Sequence, residues 1–279
     1  MLTGQFNRTM KAPVWRLAVP ILLTMVESAA HAEAGNPLTD TFSIDIGTFI
    51  VNTTTDIAVN GRGIRGTEID AERDLGMGDK TSFRLDTYWR FARRHKIRIM
   101  YFDLDRSQSH VISKDITFNG QTFSINSQVD SKFDMIIIEG AYEYAFVQND
   151  TWELAGTAGI HDLDFKARLS TSGGTIAAST SSSSSANGPL PVVGLHGIWK
   201  LTDSLSIDGQ AQFFKISISP YDGRLENFTA SLLWHPIKNV GIGAGYDYFL
   251  TRVDVDSNSF EGSLKWRYGG ARIFVNASF

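Results

Sequence analysis

The sequence predicts an all-β chain: a single antiparallel up-and-down β-barrel that crosses a membrane, with ten strands, eight and twelve being the neighbouring even counts. Three observations carry this. From Thr41 onward, long stretches alternate apolar and polar residues with a period of two, joined in turn by very short and much longer connections, which is the connectivity of transmembrane barrels. Trp89, Trp152, Trp199 and Trp234 fall on the apolar faces of four different predicted strands, each within a few residues of a short turn. The closing stretch, residues 271–279, sets Ala271, Ile273, Val275, Ala277 and Phe279 on one face against Arg272, Asn276 and Ser278 on the other, with Phe274 as the exception.

The elements are taken in chain order. Strand one covers residues 41–60. Strand two, 81–92, has the cleanest alternation, with Phe83, Leu85, Thr87, Trp89 and Phe91 opposite Ser82, Arg84, Asp86, Tyr88 and Arg90. A turn at residues 93–95 leads to strand three, which runs from 96 to about 117 and alternates poorly because Met100, Phe102 and Leu104 share a face with Arg98. Asn119-Gly120 signals a type I′ hairpin into strand four, 121–147. Strand five is 151–169.

A Ser/Gly/Thr/Ala tract over residues 170–188 then predicts a mobile external loop, since it cannot build a core. Strands six to nine cover 190–201, 205–217, 225–235 and 240–255. The last segment, 259–279, is read as one strand with a bulge at Gly269-Gly270, because an extra strand would leave Phe279 on the wrong side of the membrane. Residues 60–80 fit no single pattern.

The N-terminus reads as an export signal over residues 1–32. Lys11 and Arg16 precede an apolar run at 17–26, and Ala30-His31-Ala32 forms a small-x-small cleavage site; Met10 heads a more conventional signal and is the alternative start. The apolar run is too short for a spanning helix, which needs about 20 residues. Cysteine is absent, so disulfides, thiol catalysis and cysteine metal sites are excluded. Removing residues 1–32 moves the formal net charge from -4 to -6. That mild acidity, without a basic block, argues against nucleic acid as a partner.

A soluble barrel also alternates, with its apolar face inward. The tryptophans decide for the membrane, because a row of indoles at one height is what an interfacial girdle needs, and Phe279 joins it. The opposite face then points into the lumen, where Asp45, Arg84, Asp86, Arg90, Glu139, Glu143, Asp208 and Asp247 supply charges of both signs that can pair across a narrow interior.

The signal, the girdle and the terminal Phe together resemble small bacterial outer-membrane proteins of the group that includes OmpA-type and OmpW-type barrels, over residues 33–279, with no motif specific to one subfamily. The resemblance implies the outer membrane of a Gram-negative bacterium, lipids and lipopolysaccharide as surroundings, and insertion by the barrel-assembly machinery through the C-terminal strand. It implies no substrate.

Candidate chemistry is sparse. Gly61-Arg62-Gly63-Ile64-Arg65-Gly66 matches G-x-G-x-x-G, but the next residues, Thr67-Glu68-Ile69-Asp70, alternate like a strand, so the match reads as a loop. Glu68, Asp70, Glu72 and Asp74 would share one edge of an extended segment, a pattern that suits a hard cation bridging to lipopolysaccharide phosphates and suits a solvated acidic loop better. His161 and His196 should face the lumen without a visible serine partner, so neither a catalytic residue nor a cofactor is expected. Gly241, Gly243 and Gly245 leave space on strand nine for a bulky neighbour such as Arg84 or Tyr88, or for a narrow water path. The expected role is a non-enzymatic outer-membrane barrel, with a narrow channel as the alternative and a lipid-modifying enzyme third.

Overall fold

The computed structural model describes residues 36–61, 63–171, 180–218, 221–256 and 261–279. In chain order the elements are β1 (Phe42–Val59), β2 (Ile69–Asp70), α1 (Ala71–Asp74), β3 (Lys80–Ala92), β4 (His95–Val111), β5 (Ile116–Phe118), β6 (Gln121–Phe123) and β7 (Gln128–Gln148). They continue with β8 (Trp152–Thr171), β9 (Ser181–Lys200), β10 (Leu205–Ile218), β11 (Tyr221–Ile237), β12 (Val240–Asp256) and β13 (Glu261–Ser278).

Ten of these strands, β1, β3, β4 and β7–β13, pair antiparallel with their sequence neighbours, and β13 pairs with β1 from Ser43↔Ser278 to Val59↔Gly262 to close the cylinder. Phe279 extends the seam: its amide donates to the Phe42 carbonyl at 2.9 Å and its own carbonyl accepts from Phe42 at 3.0 Å. Short connections, such as those at Arg93-Arg94 and at Asn239, lie at the end that also holds residue 36 and Phe279; we call it the turn end and the opposite one the loop end. Register shifts on the bulged side of Arg90/Ala92, Ala145/Val147 and Trp234/Ile237 all sit beside turns at that end, where the ladder terminates and a bulge costs least.

Four details differ from the sequence reading. Asn119 and Gly120 do form a left-handed turn, at φ 47° and 77°, but it joins β5 to β6, a separate two-stranded hairpin between barrel strands β4 and β7. Residues 181–188 are not loop: they form the loop-end half of β9, hydrogen-bonded to β8 from Ser170↔Ser181 onward, because the backbone of β8 supplies the ladder that the serine side chains cannot. Residues 60–80 contain β2, which adds to β1 at Asp56↔Asp70 and Ile57↔Ile69, and the single helical turn α1. Finally, β13 passes through Gly269-Gly270 with its register to β12 and β1 unbroken. The glycine is there for close approach, since a Cβ on Gly270 would lie 1.9 Å from the Ile50 carbonyl oxygen. The export segment expected over residues 1–32, with its alternative start at Met10, lies outside the described residues, as does most of the expected loop before Thr180.

One part of the wall is incomplete. β9 and β10 pair from Ser206↔Lys200 to Phe213↔Val193, and no further. Above that pair the loop-end half of β9 stays on β8, and the end of β10 stays on β11, so the wall splits between them.

Candidate functional site

The lumen holds most of the polar side chains whose phase the sequence sets inward. At the turn end Arg90 donates to the carbonyls of Asp40 (3.2 Å) and Pro37 (3.1 Å) and pairs with Glu153 at 2.7 Å. Residues 36–40 are thereby held across the mouth, and Gln148 adds a hydrogen bond to the Leu38 carbonyl. Lys96 is wholly buried between Glu153 (2.6 Å) and Glu143 (3.4 Å), with Arg98 on the far side of Glu143 at 3.1 Å. A low-dielectric interior makes such charges tolerable only in pairs, and here each finds one.

Midway up, Arg84 meets Asp86 at 2.8 Å and Asp247 at 3.5 Å, and Arg272 meets the same two carboxylates at 2.6 and 3.3 Å. Asp45 accepts from Asn276 at 2.5 Å. Glu139 accepts from Gln212 at 2.6 Å and Gln210 at 3.3 Å. Asp208 lies 2.6 Å from Nε2 of His196, whose Nδ1 is 3.3 Å from Glu143. These eight sequence-selected residues, Asp45, Arg84, Asp86, Arg90, Glu139, Glu143, Asp208 and Asp247, thus sit in one continuous polar layer. A cavity of about 40 Å³ among Asp45, Asp86, Arg98 and Asp208 is of the size that holds a water or two.

Above the charges the lumen changes character. Phe49, Phe102, Phe249, Trp266 and Tyr268 form a buried aromatic cluster, with Tyr268 stacked on Phe102 and Phe249 at ring-centroid distances of 5.0 and 5.1 Å. Sequence reasoning missed this layer because it assigned one face of each strand to lipid and the other to polar lumen. The signal was present: Met100, Phe102 and Leu104, which spoiled the alternation of the third predicted strand, and the unbroken run Met135–Ile138 are what a strand apolar on both faces looks like.

Phe274, the exception in the final stretch, is also explained. Its ring fills the gap left by Gly243, where a Cβ would come within 2.1 Å of its Cζ, and Arg272 lies 4.6 Å above the ring. The neighbour over Gly243 is therefore Phe274, with Leu233 and His235 over Gly241 and Ser231 beside Gly245, rather than Arg84 or Tyr88.

Outside the barrel, Trp89, Trp152, Trp199 and Trp234 are each roughly half exposed, on the outer face near the turn end. Trp152 and Trp199 are direct cross-strand partners. Phe279 is partly buried at the same end.

The acidic segment does not have the geometry read from its spacing. Residues 71–74 wind into a helical turn capped by Asp70, whose side chain accepts from the Arg73 amide at 2.8 Å, so the carboxylates no longer share an edge. Glu72 instead accepts from Arg106 at 2.6 Å and the Thr55 amide at 2.8 Å. Asp74 pairs with Lys114 at 2.7 Å, and Glu68 is exposed. Among the described residues no cluster of three ligating side chains suited to a metal ion occurs. Burial pushes the Asp74 carboxyl up, but the hydrogen bonds from Lys114, the Asp70 amide and Arg73 outweigh it and hold the group below its ordinary value.

His161 and His196 are buried and committed, the first to Gln212 at 3.1 Å and the second to Asp208.

No family model matches the chain, and no curated protein matches it in sequence. Solved structures do. The outer membrane protease OmpT from Escherichia coli superposes with a TM-score of 0.56 at 9% identity, covering 89% of this chain and 99% of that one. The translocator domain of the autotransporter NalP from Neisseria meningitidis covers 95% of this chain and 96% of its own at 14% identity, with a TM-score of 0.37. Ail of Yersinia pestis covers 85% and 99% at 14% identity, with a TM-score of 0.32. The fold that the chain shares with OmpT is the closed antiparallel β-barrel. The likeness to OmpT is one of architecture.

Proposed function

We propose that the chain is a non-enzymatic outer-membrane β-barrel with a structural or surface-binding role, whose lumen neither conducts nor catalyses. One observation carries this reading. From the turn end up through the aromatic layer the lumen is filled, by residues 36–40, by the paired charges at mid-height and by the aromatic rings above them. Narrow barrels are filled by side chains in this way, whereas open pores need many more strands. The outer membrane is supported by the half-exposed tryptophan row and by the kind of barrel the fold matches. Export through a cleaved segment at residues 1–32, contact with lipids and lipopolysaccharide, and reading of the final strand by the assembly machinery belong to the same proposal.

Planar-bilayer recording of the purified protein tests it, after heat-modifiable gel mobility has established a folded barrel. We expect a silent membrane. Resolved conductance steps that vanish on altering Arg84 or Asp86 would establish the narrow channel instead.

A further inference from the structure

The split between β9 and β10 opens onto a pocket. Its volume is about 650 Å³, within the range of roughly 300–1,000 Å³ typical of small-molecule sites. The walls are the inward faces of the loop-end strand halves: Leu163 and Phe165 on β8, Phe214 and Ile216 on β10, Val253 on β12 and Leu264 on β13. β9 contributes little bulk above Leu190, because its next inward positions are Gly188, Ala186 and Ser184, and that is why the space exists. Two residues further toward the turn end from Thr251 and Leu264, the same strands carry Phe249 and Trp266 of the aromatic cluster.

The split is written into the sequence by two prolines. The Lys200 amide donates to Thr151 on the β8 side and the Leu201 amide to Leu205 on the β10 side. With strict alternation, even-numbered amides of β9 face β8 and odd-numbered ones face β10. Pro189 and Pro191 are odd. Each lacks an N–H, so continuing the register would leave Lys215 and Ser217 opposite residues that cannot donate. β8 loses nothing by this, and β9 keeps its full pairing there. The split begins above Val193 and Phe213, both exposed on the outer apolar face, so its lower end meets the outward apolar band.

Thr251 says what kind of molecule fits. It lines the pocket, is wholly buried, and its hydroxyl has no hydrogen-bond partner among the described residues. A buried hydroxyl left unpaired is costly. Among the described residues no lysine, arginine or histidine lines the pocket, and the acidic residue that does, Asp222, is exposed on β11. An anionic group inside would therefore lack a counter-charge.

We propose that this pocket binds a neutral, largely hydrocarbon molecule carrying one hydroxyl or carbonyl oxygen, with Thr251 as the polar anchor and the β9–β10 split as the side opening toward the membrane. The site is separate from the lumenal charges. It rests on the membrane reading only for its route of entry.

The test is equilibrium uptake of radiolabelled 1-dodecanol, dodecane and dodecanoate by the full chain in phosphatidylcholine bilayer discs, with empty discs subtracted. Dodecanol should bind saturably and about fivefold to tenfold more tightly than dodecane, the worth of one net hydrogen bond. Thr251→Val should erase that preference while leaving dodecane binding unchanged. Gly188→Phe should abolish uptake of both; a Cβ there meets nothing within 4 Å, so the ring enters the pocket without straining the strand. Heat-modifiable mobility of each variant establishes that the barrel has formed, which separates failure of this proposal from failure of the membrane reading. Equal binding of dodecanol and dodecane, dodecanoate binding as tight as dodecanol, or uptake unchanged in Gly188→Phe would each overturn the proposal.

Discussion

The ring of Phe274 lies over Gly243 on the neighbouring strand, cross-strand partners whose joint volume fits only because one of them has no side chain. A valine at Gly243 would drive methyl groups into that ring. Overpacking of this kind costs about 1–3 kcal/mol. We expect Gly243→Val to lower the temperature of the heat-modifiable gel shift, and Phe274→Leu to recover part of the loss. A Gly243→Val barrel as stable as the parent would show that the ring can swing away freely.

Lys96 is the most enclosed cation of the lumen, and its neutral replacement should be the most damaging. Lys96→Met keeps the length of the side chain but leaves Glu143 and Glu153 facing each other, with Arg98 and His196 beside the first and Arg90 beside the second. Removing one partner of a buried pair costs about 3–5 kcal/mol. Urea unfolding from detergent measures it, and a change under about 1 kcal/mol, the worth of an exposed pair, would mean that the layer is wetter than its packing indicates.

Asp74 links the stability of α1 to pH. Its carboxyl is held below the ordinary value of 3.8 in the folded chain, so the folded state binds its proton less readily than the unfolded one. The stabilisation is complete above 3.8 and is lost as pH falls through the lower folded value. The amide signal of Asp70, which donates to Asp74 at 3.0 Å, should titrate with a midpoint below 3.8, and Lys114→Met should raise that midpoint. A midpoint above 3.8 in the parent would contradict the pairing.

Amide exchange reads the split in the wall directly. Ala211 and Phe213 lie opposite Leu195 and Val193 in the paired part of β10, and their amides should be protected. The amides of Lys215 and Ser217 face the open side and should exchange orders of magnitude faster. Similar protection at all four positions would mean that the two strands zip together in solution.

Much of the cylinder was legible from period and punctuation. Phe83 to Phe91 alternates without a fault and forms β3, and the paired requirement that both termini share one end led to ten strands without any knowledge of the register. The inward phase of Arg84, Asp86 and Arg90 came from the same period. What the sequence concealed is of two kinds. The aromatic layer lies where both faces of a strand are apolar, and a period of two vanishes when its two halves are alike. The other kind is non-local: that Phe274 belongs over Gly243, or that the serine tract before Pro189 is held by β8, depends on which strands are neighbours, and composition favours a loop over Ser181–Ser185 until a partner is present. The acidic segment failed for a third reason, since four residues of helix suffice to turn a shared edge into diverging directions.

The seam between β1 and β13 has a kinetic meaning. Every other ladder of the barrel joins strands that succeed one another around the cylinder and so grows from hairpins, whereas the seam joins residues such as Ser43 and Asn276, 233 positions apart. Contacts of that span carry the largest entropic cost of closure and form last. Until the seam forms, the sheet is an open ribbon with two long unpaired margins, each able to capture another chain. Closure is therefore the step at which the protein is committed either to a solitary cylinder or to aggregation, and the bonds of Phe279 to Phe42 stand at the end of that choice.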